Sequence, residues 1–126
     1  MPSSYEIDKQ RRLVLTTAWG ACTADDVLRF RKQLLNDPDF DPSFSQLADF
    51  TGVTKVDVTP DEVRMLASMS PFSPQSRRAL VAGDQTVFGI SRMFSILRSL
   101  RGDHQLRVFR SSSDALDWLM EKDQAA

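Results

Sequence analysis

The chain has 126 residues, 41% hydrophobic and 26% charged, with sixteen basic against seventeen acidic side chains and a formal net charge of -1. A chain of that size buries a core as one domain without disulfides or structural metal. The near-neutral balance lacks the basic excess that phosphate backbones select, so nucleic acid is not expected as a partner. The single cysteine, Cys22, excludes an internal disulfide and suits a reducing, cytoplasmic location.

Met1 to Ser4 and Asp123 to Ala126 read as tails, leaving a single domain over 5–122. The opening residues contain no apolar segment, so no signal peptide is expected. Apolar runs such as Ala79-Leu80-Val81-Ala82 are far too short for a membrane span. Tyr5 to Asp8 and Arg12 to Trp19 predict an antiparallel hairpin, ended at Gly20. Thr23 is placed to cap a helix with Asp25 and Asp26 in its first turn. Val27, Phe30, Leu34 and Leu35 form its apolar stripe, with Arg29, Arg31 and Lys32 largely outside it. Asn36-Asp37-Pro38 stops that helix, and Asp39 to Ser43 is a turn-rich loop.

Ser45 to Phe50 predicts the next strand, with Gly52 as the turn after it. Thr59, Pro60 and Glu62 fit the N-cap, first and third positions of a helix, a capping box with a proline at its start. That helix is expected to run to about Met69 with Val63, Leu66 and Ala67 inward. Arg78 to Ala82 predicts a strand covered on both faces. A helix from about Thr86 to Leu100 follows, closed by Gly102, then a strand at Leu106 to Phe109. Serines 111–113 cap a last helix, with Leu116 and Leu119 or Met120 inward. The order β-β-α-β-α-β-α-β-α predicts a single-domain α/β fold with a mixed, mostly parallel sheet.

Asp49, Thr51, Gly52, Val53 and Asp57, within DFTGVTKVDVTPDEV, resemble the signature of STAS domains, the fold of anti-sigma-factor antagonists. The closer likeness is to SpoIIAA-like (STAS-like) bacterial proteins, which share a start like Gly20 to Asp25 and a closing Ala-Leu-x-Trp-Leu like Ala115 to Leu119. The element order extends the resemblance over about Tyr5 to Met120. It implies a non-enzymatic domain built as a β-α superhelix that binds proteins or, in related folds, small apolar ligands. In the antagonists the serine directly after the second Asp accepts phosphate; here that residue is Val58, which has no hydroxyl. The adjacent Thr59 fits a cap, and losing such a cap costs about 1 kcal/mol, a sufficient structural reason for a threonine.

No residue pattern marks a catalytic, cofactor or metal site. His104 stands alone at a loop-to-strand junction, where a metal would require several ligands. Cys22 precedes a helix start that could lower its pKa, although a small residue in a turn explains it as well. Capping and turn formation likewise account for Asp49 and Asp57. The helix from Thr86 carries two apolar stripes, Val87, Ile90, Phe94 and Leu97, then Phe88, Met93, Ile96 and Leu100. Ser91, Arg92, Ser95, Arg98 and Ser99 remain for water. Met65, Met69 and Phe72 add apolar surface nearby. This excess is either a thick core or a groove formed by Met65, Met69, Phe72, Phe88, Arg92 and Met93. Such a groove would hold a second copy of the chain, a protein partner or a small apolar ligand, with Arg64, Arg92 or Arg98 at the rim to meet an anion. Three functions compete: a regulatory interaction domain, forming a homodimer through Met65, Met69, Phe88 and Met93; a carrier or sensor of a small apolar or anionic ligand; and, last, a small enzyme.

Overall fold

A computed structural model describes residues 3–121. Met1, Pro2 and the C-terminal tail expected at 123–126 lie outside the described residues, as does 122, the expected domain boundary. Nine elements follow in the expected order: β1 Ser3–Asp8, β2 Leu13–Thr23, α1 Ala24–Leu35, β3 Ser45–Asp57, α2 Pro60–Ala67, β4 Arg78–Val81, α3 Gln85–Ser99, β5 Leu106–Phe109 and α4 Ser112–Met120. They form one five-stranded sheet in the order β1-β2-β3-β4-β5. β1 runs antiparallel to β2 and the remaining pairs are parallel. Three successive crossovers advancing in one direction place α1, α2 and α3 on the same face of the sheet, because such connections share one hand. α4 covers the other face.

The pleat sorts the side chains. Leu13, Ala79 and Val81 point toward α4 and pack against Ala115, Trp118 and Leu119. The guanidinium groups of Arg107 and Arg77 lie 4.9 and 5.4 Å from the Trp118 ring centre, and Arg77 Nη1 donates to the Trp118 carbonyl at 2.8 Å. On the opposite face, Val14 packs with Leu34, Phe44 and Phe72, while Ala48, Leu80 and Leu106 meet Phe94.

Several local expectations are corrected. Ser3 and Ser4, expected in the tail, begin β1, pairing with Ala18 and Thr17. Gly20 does not end β2. The strand absorbs two register irregularities, between Thr17 and Trp19 and between Gly20 and Ala21, then continues to Thr23. Gly20 has φ 74°, which its missing Cβ permits. Gly52 is not a turn either, because β3 passes through it to Asp57. There the two backbones approach so closely that a Cβ on Gly52 would sit 3.0 Å from the Trp19 Cβ and 3.2 Å from the Ala18 carbonyl oxygen. Glycine is required at 52 by crowding, with no reversal of the chain. Leu35 is exposed, α2 stops at Ala67 before Met69, and Leu119, not the exposed Met120, faces inward.

The largest departure concerns charge. Arg98 and Ser91, expected in water, are buried, and Arg78, at the head of an apolar strand, is buried too. Asp103, buried in the turn after Gly102 (φ 84°), receives both arginines. Arg78 donates through both terminal nitrogens, Nη1 at 2.7 Å and Nη2 to the other carboxylate oxygen. Arg98 donates through Nε (3.0 Å) and Nη2 (2.9 Å). Arg98 Nη1 then donates to the carbonyl of Ala67 at 3.1 Å, tying α3 to the end of α2. Burial pushes the Asp103 carboxyl upward, but the hydrogen bonds and charges of Arg78 and Arg98 outweigh it and hold it below the ordinary carboxylate range.

Replacing Asp103 with Asn leaves two buried guanidinium groups unneutralised and should lower the unfolding free energy by about 3–5 kcal/mol, measured by urea titration. The folded carboxyl binds protons more weakly than the unfolded one. Its stabilisation is therefore complete above the unfolded value of about 4 and is lost as pH falls through the folded value. Wild-type stability should drop in that acid range, and the Asp103→Asn variant should show a shallower drop.

Candidate functional site

The three helices on one face are seated by their caps. Thr23 and Asp26 form a reciprocal capping box on α1, and Thr59 and Glu62 form one on α2. The Asp84 carboxylate accepts from the backbone N–H groups of Thr86 and Val87 at the start of α3. Each cap fixes which face of its helix meets the sheet. Val27, Phe30, Arg31 and Leu34 of α1 fall at i, i+3, i+4 and i+7, so Arg31 sits within the apolar stripe and not outside it as expected. On α3 the inward row is Val87, Ser91, Phe94 and Arg98, with Ile90 beside it.

Between these faces and the sheet lies a cavity of about 170 Å³. Its floor is the helix-facing side of the sheet, with Ala48, Phe50 and Val53 from β3, Leu80 from β4 and Leu106 from β5. Val27, Phe30 and Arg31 of α1 and Val63 and Leu66 of α2 line it, followed by Pro71 and Phe72 of the next loop. Val87, Ile90, Ser91 and Phe94 of α3 complete the wall. Polar groups are few and most are engaged. Gln46 Nε2 donates to Thr16 Oγ1 at 3.2 Å, and Arg78 is held by Asp103. Arg31 is the exception. Its Nη1 is buried and has no hydrogen-bond partner. Its guanidinium lies 5.9 Å from the centre of the Phe94 ring. Desolvation, and secondarily the nearby charge of Arg98, pulls the Arg31 pKa down to about 10, so it remains a cation at neutral pH.

Of the six groove residues expected from sequence, Phe72 alone lines this cavity, as part of the core. Met65 and Met69 are exposed, Arg92 is exposed, and Met93 is half-buried away from the lining. Phe88 lies under the Arg110 guanidinium, 3.9 Å from its ring centre. Arg64 pairs with Asp61 on the surface, and Arg98 is consumed by Asp103, so neither stands at a rim over the cavity. The structure thus places the open volume beneath the helices, where the sequence reading had put a surface groove between them.

The motif residues are not a loop. Asp49, Thr51, Gly52 and Asp57 belong to β3, with the Asp49 carboxylate accepting from the backbone N–H (2.9 Å) and hydroxyl (2.7 Å) of Thr51. Thr59 is the N-cap of α2: the Glu62 N–H donates to its hydroxyl at 3.1 Å, and its own N–H donates to Glu62 Oε1 at 2.9 Å. Val58, between the two, lines the cavity. His104 is exposed. Cys22, expected in a turn, lies within β2 and lines the cavity, and burial, with the charge of Asp26, raises its thiol pKa where a helix start could have lowered it. Among the described residues no group of three His, Cys, Asp or Glu side chains could hold a metal ion, and no helix is long and apolar enough to cross a membrane.

Sequence reasoning missed Arg31 and Asp103. Arg31 carried a readable signal, since it occupies the i+4 position of an otherwise apolar stripe. Asp103 was overshadowed by its neighbour His104. A carboxylate directly after a helix-closing glycine can be carried inward by the turn, but only the positions of Arg78 and Arg98 show that it is.

No protein-family model and no curated protein matches the chain. Among solved structures it is similar to an uncharacterised protein of the DUF3478 family with a SpoIIAA-like fold from Shewanella loihica PV-4. The two are 18% identical, the match covers 93% of each chain, and the TM-score is 0.56. The likeness shows that this chain has the SpoIIAA-like fold.

Because the Thr59 hydroxyl accepts from the Glu62 backbone N–H at the start of α2, Thr59→Ala should cost about 1 kcal/mol in denaturant-induced unfolding, and Thr59→Ser much less. Equal loss in both variants would mean that the threonine methyl, not the hydroxyl, is what the site requires.

Proposed function

We propose that this protein is a non-enzymatic STAS-like domain whose task is to hold a small, mostly apolar molecule in the cavity between its sheet and α1, α2 and α3. The observation that carries this reading is the cavity itself. Protein cores are packed about as densely as organic crystals, and unfilled apolar volume costs about 24 cal/mol per Å³. That coefficient is for enclosed cavities, and the 170 Å³ space is partly open to solvent, so about 4 kcal/mol is its upper bound, against a domain stability of about 5–15 kcal/mol. An apolar ligand would recover much of it. Val58 supports the same reading: at the position where antagonists carry a phosphoacceptor serine, this chain has an apolar side chain contributing to the cavity wall. The phospho-switch of the relatives is therefore replaced here by ligand occupancy.

A second reading rests on the outer surface. Met65, Met69, Ile96 and Leu100 are 37%, 57%, 53% and 78% exposed, on or just beyond two helices joined by the Arg98–Ala67 hydrogen bond. Exposed apolar side chains of this kind suit a protein partner or a second copy of the chain. Light scattering tests it: a concentration-dependent dimer that Leu100→Glu dissociates supports the interface, and a monomer at every concentration refutes self-association.

The cavity is tested by titrating toluene while following the methyl resonances of Leu80, Leu106 and Val87. Saturable shifts at these positions are expected, with a raised melting temperature. Ser91→Leu, which places a side chain of good helix propensity into the cavity, should abolish the shifts while preserving or raising the stability of the empty protein. Toluene that leaves these methyl groups unmoved would refute the reading.

A further inference from the structure

The cavity is apolar in shape yet carries one misfit, the guanidinium of Arg31, and that misfit specifies chemistry. A buried cation is tolerated when it is paired and hydrogen-bonded. Arg31 is half-buried, its Nη1 is buried without a partner, and no Asp or Glu lines the cavity among the described residues. The charge of Arg98, of like sign, also acts on it. Asp103, the carboxylate that might have served it, already accepts four hydrogen bonds from Arg78 and Arg98. The weak attraction of the Phe94 ring at 5.9 Å is no substitute for an anion.

Resting on the ligand-binding reading above, we propose that the ligand is a small carboxylic acid, bound as the anion, with its carboxylate on Arg31 and its apolar body among Ala48, Leu80, Ile90 and Phe94. A guanidinium fork matches a carboxylate, and one monoanion neutralises one arginine. A phosphate would demand more donors than the single free guanidinium supplies, because Arg78 and the Gln46–Thr16 pair are already engaged. Size sets the other limit. A cavity of about 150 Å³ accommodates benzene, so 170 Å³ suits an aryl or short branched body, and a long acyl chain would have to project through the opening.

The test compares phenylacetate with its uncharged isostere phenylacetamide, and with toluene and phenyl phosphate, by calorimetry and methyl chemical shifts on the full chain. Wild type should bind phenylacetate about ten- to a hundredfold more tightly than phenylacetamide, the span of a charge-assisted hydrogen bond relieved of competition from water. Arg31→Met, which keeps the volume and removes the charge, should erase that preference while toluene still binds. The same variant, without ligand, should melt at a higher temperature than wild type because it no longer buries an unpaired cation. Toluene binding with no preference for the acid overturns the carboxylate proposal and leaves the cavity reading standing. Tighter binding of phenyl phosphate than of phenylacetate overturns it as well. If none of the four compounds binds, both readings fall. Should Arg31→Met fail to fold, the wild-type comparison of acid with amide decides alone.

Discussion

Asp103 is where the elements around the cavity are tied together. It lies in the turn that leads from α3 to β5, and it accepts from Arg78 at the head of β4 and from Arg98 near the end of α3. Arg98 extends the tie to the last residue of α2. Three elements and a loop are thus held by one carboxylate. A buried ion group of this kind adds little net stability compared with well-packed apolar residues, because desolvation offsets the Coulomb gain. Its value is directional: the group has a single arrangement in which all charges are met, and that arrangement fixes the C-terminal end of α3 against β4 and α2. α3 still packs on the strands through Val87 and Phe94, and the apolar space lies beside those contacts, between the sheet and α1, α2 and α3.

The same pinning leaves Arg31 without a counter-ion. With the carboxylate of Asp103 committed, the α1 guanidinium faces an apolar wall and a like charge. A protein under selection for stability alone would replace it with leucine or methionine. A half-buried guanidinium with an unpartnered Nη1, beside an apolar cavity, is what supports the proposed ligand, which would contribute both volume and charge. On the ligand-binding proposal, stability surrendered at the site is regained on binding, as expected where local rules are broken for function.

Much of the fold was legible in the sequence because its punctuation is strong. The Thr23 cap, the Thr59–Glu62 capping box, the proline at the start of α2, the alternation of strands and helices and the β5 boundaries all follow from local chemistry. The failures have physical causes. Gly20 and Gly52 read as turn residues, but in the fold one relieves a strand irregularity and the other admits a neighbouring backbone, and glycine serves all three purposes equally. The motif of Asp49 to Thr59 pointed correctly to the fold, and its polar members Asp49, Thr51 and Thr59 are spent on turn-like and capping hydrogen bonds. Methionines on α2 and α3 drew the expected groove to the outer surface. Periodicity assigns faces relative to one helix axis, and only the packing of three helices on the sheet shows that the open volume lies beneath them. Arg98 and Arg31 were placed in water because charge usually goes there; a buried partner in one case and a cavity in the other override that preference.

Crystals exposed to xenon test the central claim most directly, because the gas enters apolar cavities without needing a particular headgroup. A cavity maintained for a ligand predicts a xenon atom among Ala48, Leu80, Ile90 and Phe94, with the surrounding side chains in place and Arg31 still unpaired. Closure of the space by Phe50 or Phe72, or its occupation by ordered water bound to Arg31 with no xenon, would contradict it.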